Sequence, residues 1–218
     1  MFSLYLTGKI PYKHSYIHGV VTDSKGQKMS KSKGNVIDPL EFVEKYGADA
    51  LRMGLTVGGN TAAKQTALSE DKVRGYRNFA NKIWNMARFM ERMKEQTGKI
   101  KTFEEIAKGG TENLSKEDQE ILEDLEKLVK KVNENLEKYR LADMGNDIYE
   151  FMWHALADEY IEHIKAREDK EVALGILDHV YKTCLKLLHP FMPFTTEKVW
   201  QEIQDSEIPL IVAQWPEE

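Results

Sequence analysis

One run of residues, Ser69 to Gln96, constrains what this chain can fold into more than any other. Val73, Tyr76, Ala80, Ile83, Ala87 and Met90 recur every three or four positions, the period of a single helix face. Ser69 stands ahead of Glu70 and Asp71, where a hydroxyl can take a free N–H of the first turn and acids favour the helix dipole. Leu68 and Val73 are spaced to staple the entry, and Gly98 lies just past the exit. The apolar face is the core side, so the stretch predicts a long helix packed against other elements.

The residues that follow supply those elements. Residues 97–114 read as a loop, with Gly98, Gly109, Gly110, Thr111 and Asn113. Ser115 caps a second helix carrying Leu122, Leu125, Val129, Val132 and Leu136. A third covers about Ala142–Arg167 and a fourth about Lys170–His189, which Pro190 ends. His189-Pro190-Phe191-Met192-Pro193-Phe194 is an apolar bend, followed by a short helix to about Gln204 and a strand over Leu210–Gln214. The expected fold is mainly α, with an up-down helical bundle over 69–218 behind a small α/β unit over 1–68.

That first unit opens on Phe2, Leu4, Tyr5 and Leu6, which read as the end of an amphipathic helix with no cap ahead of it, at the edge of a larger protein. A strand is expected from Ser15 to Thr22. Asp38 and Pro39 start a short helix as cap and first position, Gly47 closes it, and Ala48 to Val57 forms another. Gly58-Gly59-Asn60-Thr61 reads as a turn.

Between strand and helix lies Lys28-Met29-Ser30-Lys31-Ser32-Lys33-Gly34-Asn35. Lysines alternate with hydroxyl residues, and Gly34-Asn35 permits unusual backbone angles. Such a loop can wrap a polyanion, with ammonium groups for charge and hydroxyl and backbone N–H groups for hydrogen bonds. By composition alone it also reads as a solvated surface loop.

The long helix offers a second site. Opposite its apolar face the wheel places Arg74, Asn78, Asn81, Lys82, Asn85, Phe89 and Arg92. Solvated faces usually mix Lys with Glu, whereas this one has cations, three carboxamides and an outward aromatic. Amides read base edges, an aromatic stacks an unpaired base, and Arg or Lys neutralises phosphate. The alternative is a face that packs on another part of the protein.

Charge points the same way. The net charge is −5, yet residues 1–100 hold 17 Lys and Arg against 9 Asp and Glu, leaving 14 against 27 in the rest. A basic half on an acidic protein marks where a polyanion binds. No apolar run reaches the roughly 18 residues of a membrane helix, and the start carries no basic leader of a signal peptide. The single cysteine, Cys184, excludes an internal disulfide and suits a reducing compartment, so a cytoplasmic protein is expected. His14, His18, His154, His163, His179 and His189 show no paired ligand spacing with Cys184, so no metal site is expected.

Residues 28–35, with Val36-Ile37-Asp38-Pro39 behind them, closely resemble the second signature of class I aminoacyl-tRNA synthetases. Tyr46-Gly47-Ala48-Asp49-Ala50-Leu51-Arg52 and the bend from His189 to Glu197 resemble the subgroup for Val, Ile and Leu. Arg77 to Phe89, Tyr149 to His154 and Glu159-Tyr160-Ile161-Glu162 are most similar to its valyl branch, with the isoleucyl branch next. The first signature of the family, His-x-Gly-His, is absent, as are the editing domain and the C-terminal coiled coil of valyl enzymes. Thr61-Ala62-Ala63-Lys64 stands where the family often has an acid, and Ala157-Asp158-Glu159 replaces a common Cys-Asp-Trp.

The resemblance implies that 1–68 is the end of a Rossmann catalytic domain with a stem-contact segment, and 69–218 an anticodon-binding domain. It implies activation of valine with ATP and Mg2+ and transfer to tRNA(Val). Lys28 and Lys31 are then the catalytic candidates, and Lys28, Met29, Ser30, Lys31 and Ser32 the ATP-binding set. Arg74, Asn78, Asn81, Lys82, Asn85, Phe89 and Arg92 would face tRNA. The chain alone is expected to be inactive and to self-associate through its apolar start. A freestanding helical RNA-binding module without catalysis is the rival reading.

Overall fold

The computed structural model describes residues 2–17, 19–23, 25–57, 66–203 and 208–217. Apolar spacing and caps produce the helices the sequence specifies. Helix α1 is Phe2–Thr7, followed among the described residues by irregular chain, and strand β1 is Val21–Thr22. Helix α2 (Pro39–Tyr46) begins where Asp38 Oδ1 accepts the Leu40 N–H at 2.9 Å, and α3 is Ala48–Thr56. Strand β2 (Thr66–Ala67) lies parallel to β1. Among the described residues the strand expected from Ser15 is two residues long, Val21 pairing with Thr66 and Thr22 with Ala67. The turn expected at Gly58–Thr61 lies outside the described residues.

Helix α4, Glu70–Thr97, is the long rod, and Ser69 Oγ accepts the Lys72 N–H at 3.3 Å. The region 97–114 is not a plain loop. It holds helix α5, Phe103–Lys108, started by a reciprocal pair in which Thr102 Oγ1 accepts the Glu105 N–H and the Glu105 carboxylate accepts the Thr102 N–H. A Thr-x-x-Glu signal was present in the sequence, overshadowed by the glycines around it. Helix α6 is Lys116–Glu137, with Ser115 as its cap.

The third segment runs Leu141–Glu150 as α7, then as a π-helix over Phe151–Tyr160, then as α8, Ile161–Ala166. Helix α9 is Lys170–Leu188 and α10 is Pro193–Ile203. The strand expected at Leu210–Gln214 is a 3-10 turn, Leu210–Val212, because no second strand lies beside it among the described residues.

Two apolar clusters result. The larger runs through α4, α6, the π-helix, α9 and α10, with Phe79, Ile83, Met152, Leu156, Tyr181 and Met192 at its centre. The smaller joins Tyr46, Ala50, Leu51, Leu68 and Val73, with Met29 packed on it. Helix α3 serves both, since Met53 and Val57 point into the larger one. A side chain at Gly145 of α7 would strike Val57, with a Cβ only 2.2 Å from its Cγ2, so glycine allows α3 and α7 to close.

Candidate functional site

The lysine loop is built on a short stem. Thr22 and Lys28 form an isolated antiparallel bridge, and Met29 is half-buried against the smaller core. Beyond it the chain makes a 3-10 turn, Lys31–Lys33, ended by Gly34 at φ +65°. Asn35 Oδ1 accepts the Ser30 N–H at 3.0 Å, and Ser30 Oγ lies 3.2 Å from Ser32 Oγ. Lys28, Lys31, Ser32 and Lys33 are exposed, and Ser30 is half-buried. Of the five residues expected to meet nucleotide, Met29 is taken up by packing and anchors the loop, while the other four keep polar groups at the surface.

The exposed arc of α4 is turned relative to expectation. Arg74, Asn78, Asn81, Asn85 and Arg92 are exposed as read from the wheel. Lys82 is not free: its Nζ lies 2.6 Å from Asp158 Oδ1 and 4.2 Å from the centre of the Trp153 ring. That ammonium holds the Asp158 carboxyl below the usual carboxylate range. Phe89 does not stand outward either. It is half-buried against the larger core, with Lys165 Nζ 5.7 Å from its ring centre.

The cause lies in Phe79, Met86 and Met93, which are buried and widen the apolar arc on one side. Their burial moves the centre of the exposed arc by roughly 30° toward Arg77 and Arg88. Both arginines are exposed, and sequence reading passed over them. The signal for finding them was the apolar character of residues 79, 86 and 93. Among the described residues only Arg74 of these four arginines meets a carboxylate, Asp71, at 2.6 Å.

The π-helix positions what flanks the arc. Tyr149 and Trp153 stack with centres 5.5 Å apart, Phe79 lies 4.7 Å from Tyr149, and Tyr76 meets Tyr149 edge-on. His154 sits between Glu150 and Asp158 at 3.5 and 3.3 Å. Cys184 is buried, and burial pushes its thiol far above the ordinary range, so it is inert. His179 stacks on Phe103 at 3.7 Å, and burial lowers its pKa. Among the described residues no three His, Cys, Asp or Glu side chains converge on a metal-sized site, and no helix is long and apolar enough to cross a membrane.

Residues 1–69 match the family of class I tRNA synthetases for I, L, M and V, and residues 118–218 match the anticodon-binding domain of tRNA ligases. This chain belongs to the class I tRNA synthetases. Relatives of this synthetase chain include the valine–tRNA ligase of Clostridium acetobutylicum, 39% identical over 221 residues, and that of Bacillus thuringiensis, 41% identical over 223. Each alignment covers 98% of this chain and 24% of the relative. The valine–tRNA ligase of Fervidobacterium nodosum is 42% identical over 95% of the chain and 23% of its own length. The chain thus spans about a quarter of the relatives it matches. Among solved structures, the ternary complex of Agrobacterium radiobacter LeuRS with tRNA and LeuAMS shares the fold, with a TM-score of 0.69 and 21% identity over 91% of this chain and 23% of that one.

Proposed function

We propose that this synthetase chain works in the ligation of valine to tRNA(Val), residues 1–68 supplying the lysine loop and residues 69–218 an RNA-binding surface. The observation that carries the reading is the α4 arc. Arg74 and Arg77 stand toward its start, Asn78, Asn81 and Asn85 in its middle and Arg88 and Arg92 beyond them, all exposed. At 1.5 Å per residue, steps of three or four residues bring a new donor every ~5–6 Å, close to the spacing of successive phosphates on a strand. Trp153 and Phe89 flank the arc, half-buried, each with a lysine near its ring. They offer partial stacking surface to an unpaired base.

In the activation step the valine carboxylate attacks the α-phosphorus of ATP, and negative charge builds on the departing pyrophosphate. The loop does no covalent work. Lys31, on the exposed turn, makes the first phosphate contact, Lys28 the second, and Ser30 and Ser32 hold the turn or donate hydrogen bonds. Mg2+ would enter with the triphosphate, held chiefly by phosphate oxygens and water. Lys82 serves through Asp158 and Trp153 rather than as a free cation, and Met29 serves as the loop's apolar root.

The deciding experiment titrates the 218-residue chain with tRNA(Val) at several salt concentrations. Binding that weakens with salt and with Arg77→Ala and Arg88→Ala supports the reading. Affinity indifferent to both substitutions refutes the arc as the RNA surface.

A further inference from the structure

We propose that Asn35, backed by Asp23, is a positioning residue that fixes the shape of the lysine loop for the phosphates of a nucleoside triphosphate. The proposal rests on the assignment of this loop to nucleotide chemistry.

A loop of this composition has no reason of its own to keep one shape. Lys25, Lys28, Lys31 and Lys33 crowd into nine residues and repel one another. Ordering each backbone position costs on the order of 1–2 kcal/mol of conformational entropy, and only Met29 contributes apolar contact to the core.

Besides the Thr22–Lys28 bridge and two backbone bonds, from the Asp23 N–H to the Gln27 carbonyl and from the Gly26 N–H to the Asp23 carbonyl, both 3.0 Å, one side-chain pair ties the loop together. Asn35 Oδ1 accepts the Ser30 N–H at 3.0 Å. Its Nδ2 donates to Asp23 Oδ2 at 2.9 Å and to the Lys28 carbonyl at 3.3 Å. Asp23 Oδ1 accepts the Lys25 and Gln27 N–H groups at 3.0 and 2.8 Å. Backbone groups at 25, 27, 28 and 30 are thereby tied to a single Asp–Asn contact. The tip beyond them, Lys31–Lys33, is left exposed to meet a ligand.

With Asp23 opposite it, position 35 requires an amide: it accepts from one N–H and donates to a carboxylate and a carbonyl, whereas a second carboxylate could only accept. This arrangement equally requires an ionised Asp23. The Asn35 amide, together with the Gln27 and Lys25 amides, holds that carboxyl below its ordinary range, and the Lys25 charge acts in the same direction. Lys33 and Glu70 are the other charged groups lining the adjoining cleft of about 560 Å³.

The test uses the 218-residue chain with Asn35→Ala, Asn35→Asp and the double variant D23N/N35D. Amide hydrogen exchange is read residue by residue by NMR, and inorganic tripolyphosphate probes the loop. Asn35→Ala is expected to speed exchange at Ser30 by about tenfold or more, while Ile83 in α4 keeps the parent rate. Asn35→Asp is expected to do the same at neutral pH, because it opposes two carboxylates, and to recover as pH falls and they share a proton.

D23N/N35D is expected to restore slow Ser30 exchange at neutral pH, since the amide at position 23 then donates to the carboxylate at position 35. Tripolyphosphate shifts at Lys31 and Ser32 should need about tenfold more probe in Asn35→Asp and return toward the parent midpoint in the double variant. Ser30 exchange unchanged by Asn35→Ala, or a double variant no better than Asn35→Asp, overturns the clamp. A parent loop that gives no response to tripolyphosphate overturns the phosphate reading instead, and the exchange rates still judge the clamp.

Discussion

The Asp49 carboxylate accepts the Thr195 N–H at 2.5 Å and the Phe194 N–H at 3.3 Å, so a side chain of α3 caps the first turn of α10 from about 145 residues away. Three residues on, Arg52 donates to the Phe191 carbonyl at 3.2 Å through Nε and to the Pro190 carbonyl at 2.9 Å through Nη2. The acid takes N–H groups where a helix begins, and the base takes carbonyls in the bend just before it. These two residues tie the lysine-loop half to the helical bundle with the polarity that helix ends require.

Asp49 is 5% exposed, and its loss leaves two N–H groups without their acceptor at a part-buried helix end. Asp49→Ala is expected to cost about 1–3 kcal/mol, and Asp49→Asn less because one acceptor oxygen remains. Urea unfolding checks this as a lower midpoint at unchanged slope.

Arg77→Ala and Arg88→Ala should each weaken tRNA binding and reduce the slope of log affinity against log salt by about one for each phosphate no longer neutralised. Lys82→Ala should affect binding less, since its ammonium is already engaged by Asp158. Filter binding over a salt series separates the two classes.

The bundle holds a buried charge that one partner neutralises. Arg167 Nη1 lies 2.5 Å from Asp118 Oδ1, which also accepts the Tyr160 hydroxyl at 2.6 Å, and Asp118 is fully buried. Arg167→Met strands the carboxylate and should cost about 3–5 kcal/mol. A thermal melt that barely moves would show that Asp118 finds another partner.

Acid should act through a small set of carboxylates. Asp23, Asp158 and Asp169 are held below the ordinary aspartate value of 3.8 by Asn35, Lys82 and Arg167 respectively. Each therefore adds stability that is complete above about pH 4 and is lost as pH falls through its lower folded value. Stability should stay flat from neutral pH to roughly 4 as far as these groups decide it, then fall. Circular dichroism melts over an acid series provide the readout.

Lys31→Ala in a full-length ligase carrying this segment should lower valine activation about a hundredfold or more, as removal of one charge-stabilising donor does. The 218-residue chain itself should give no valine-dependent pyrophosphate exchange. Exposed Phe2, Tyr5 and Leu6, each at least 74% accessible, should drive association that light scattering detects as concentration rises.

Sequence alone determined the elements with strong local causes. Ser69, Ser115 and Asp38 mark helix starts because a side-chain oxygen capping its own next turn needs nothing from elsewhere in the chain. The lysine loop was legible as a unit for the same reason, and its family resemblance with it. Tertiary structure decided whatever depended on a partner distant in sequence. Phe79, Met86 and Met93 became core only because the bundle covers that side of α4, and their burial turned Arg77 and Arg88 outward and Phe89 partly inward. Among the described residues Ser15–Thr22 pairs only at Val21–Thr22, because a ladder needs a second strand beside it, and the loop gained a fixed shape because Asn35 reaches Asp23 across it. Local hydrogen bonds are written in neighbouring residues, whereas burial is a property of everything packed around a side chain.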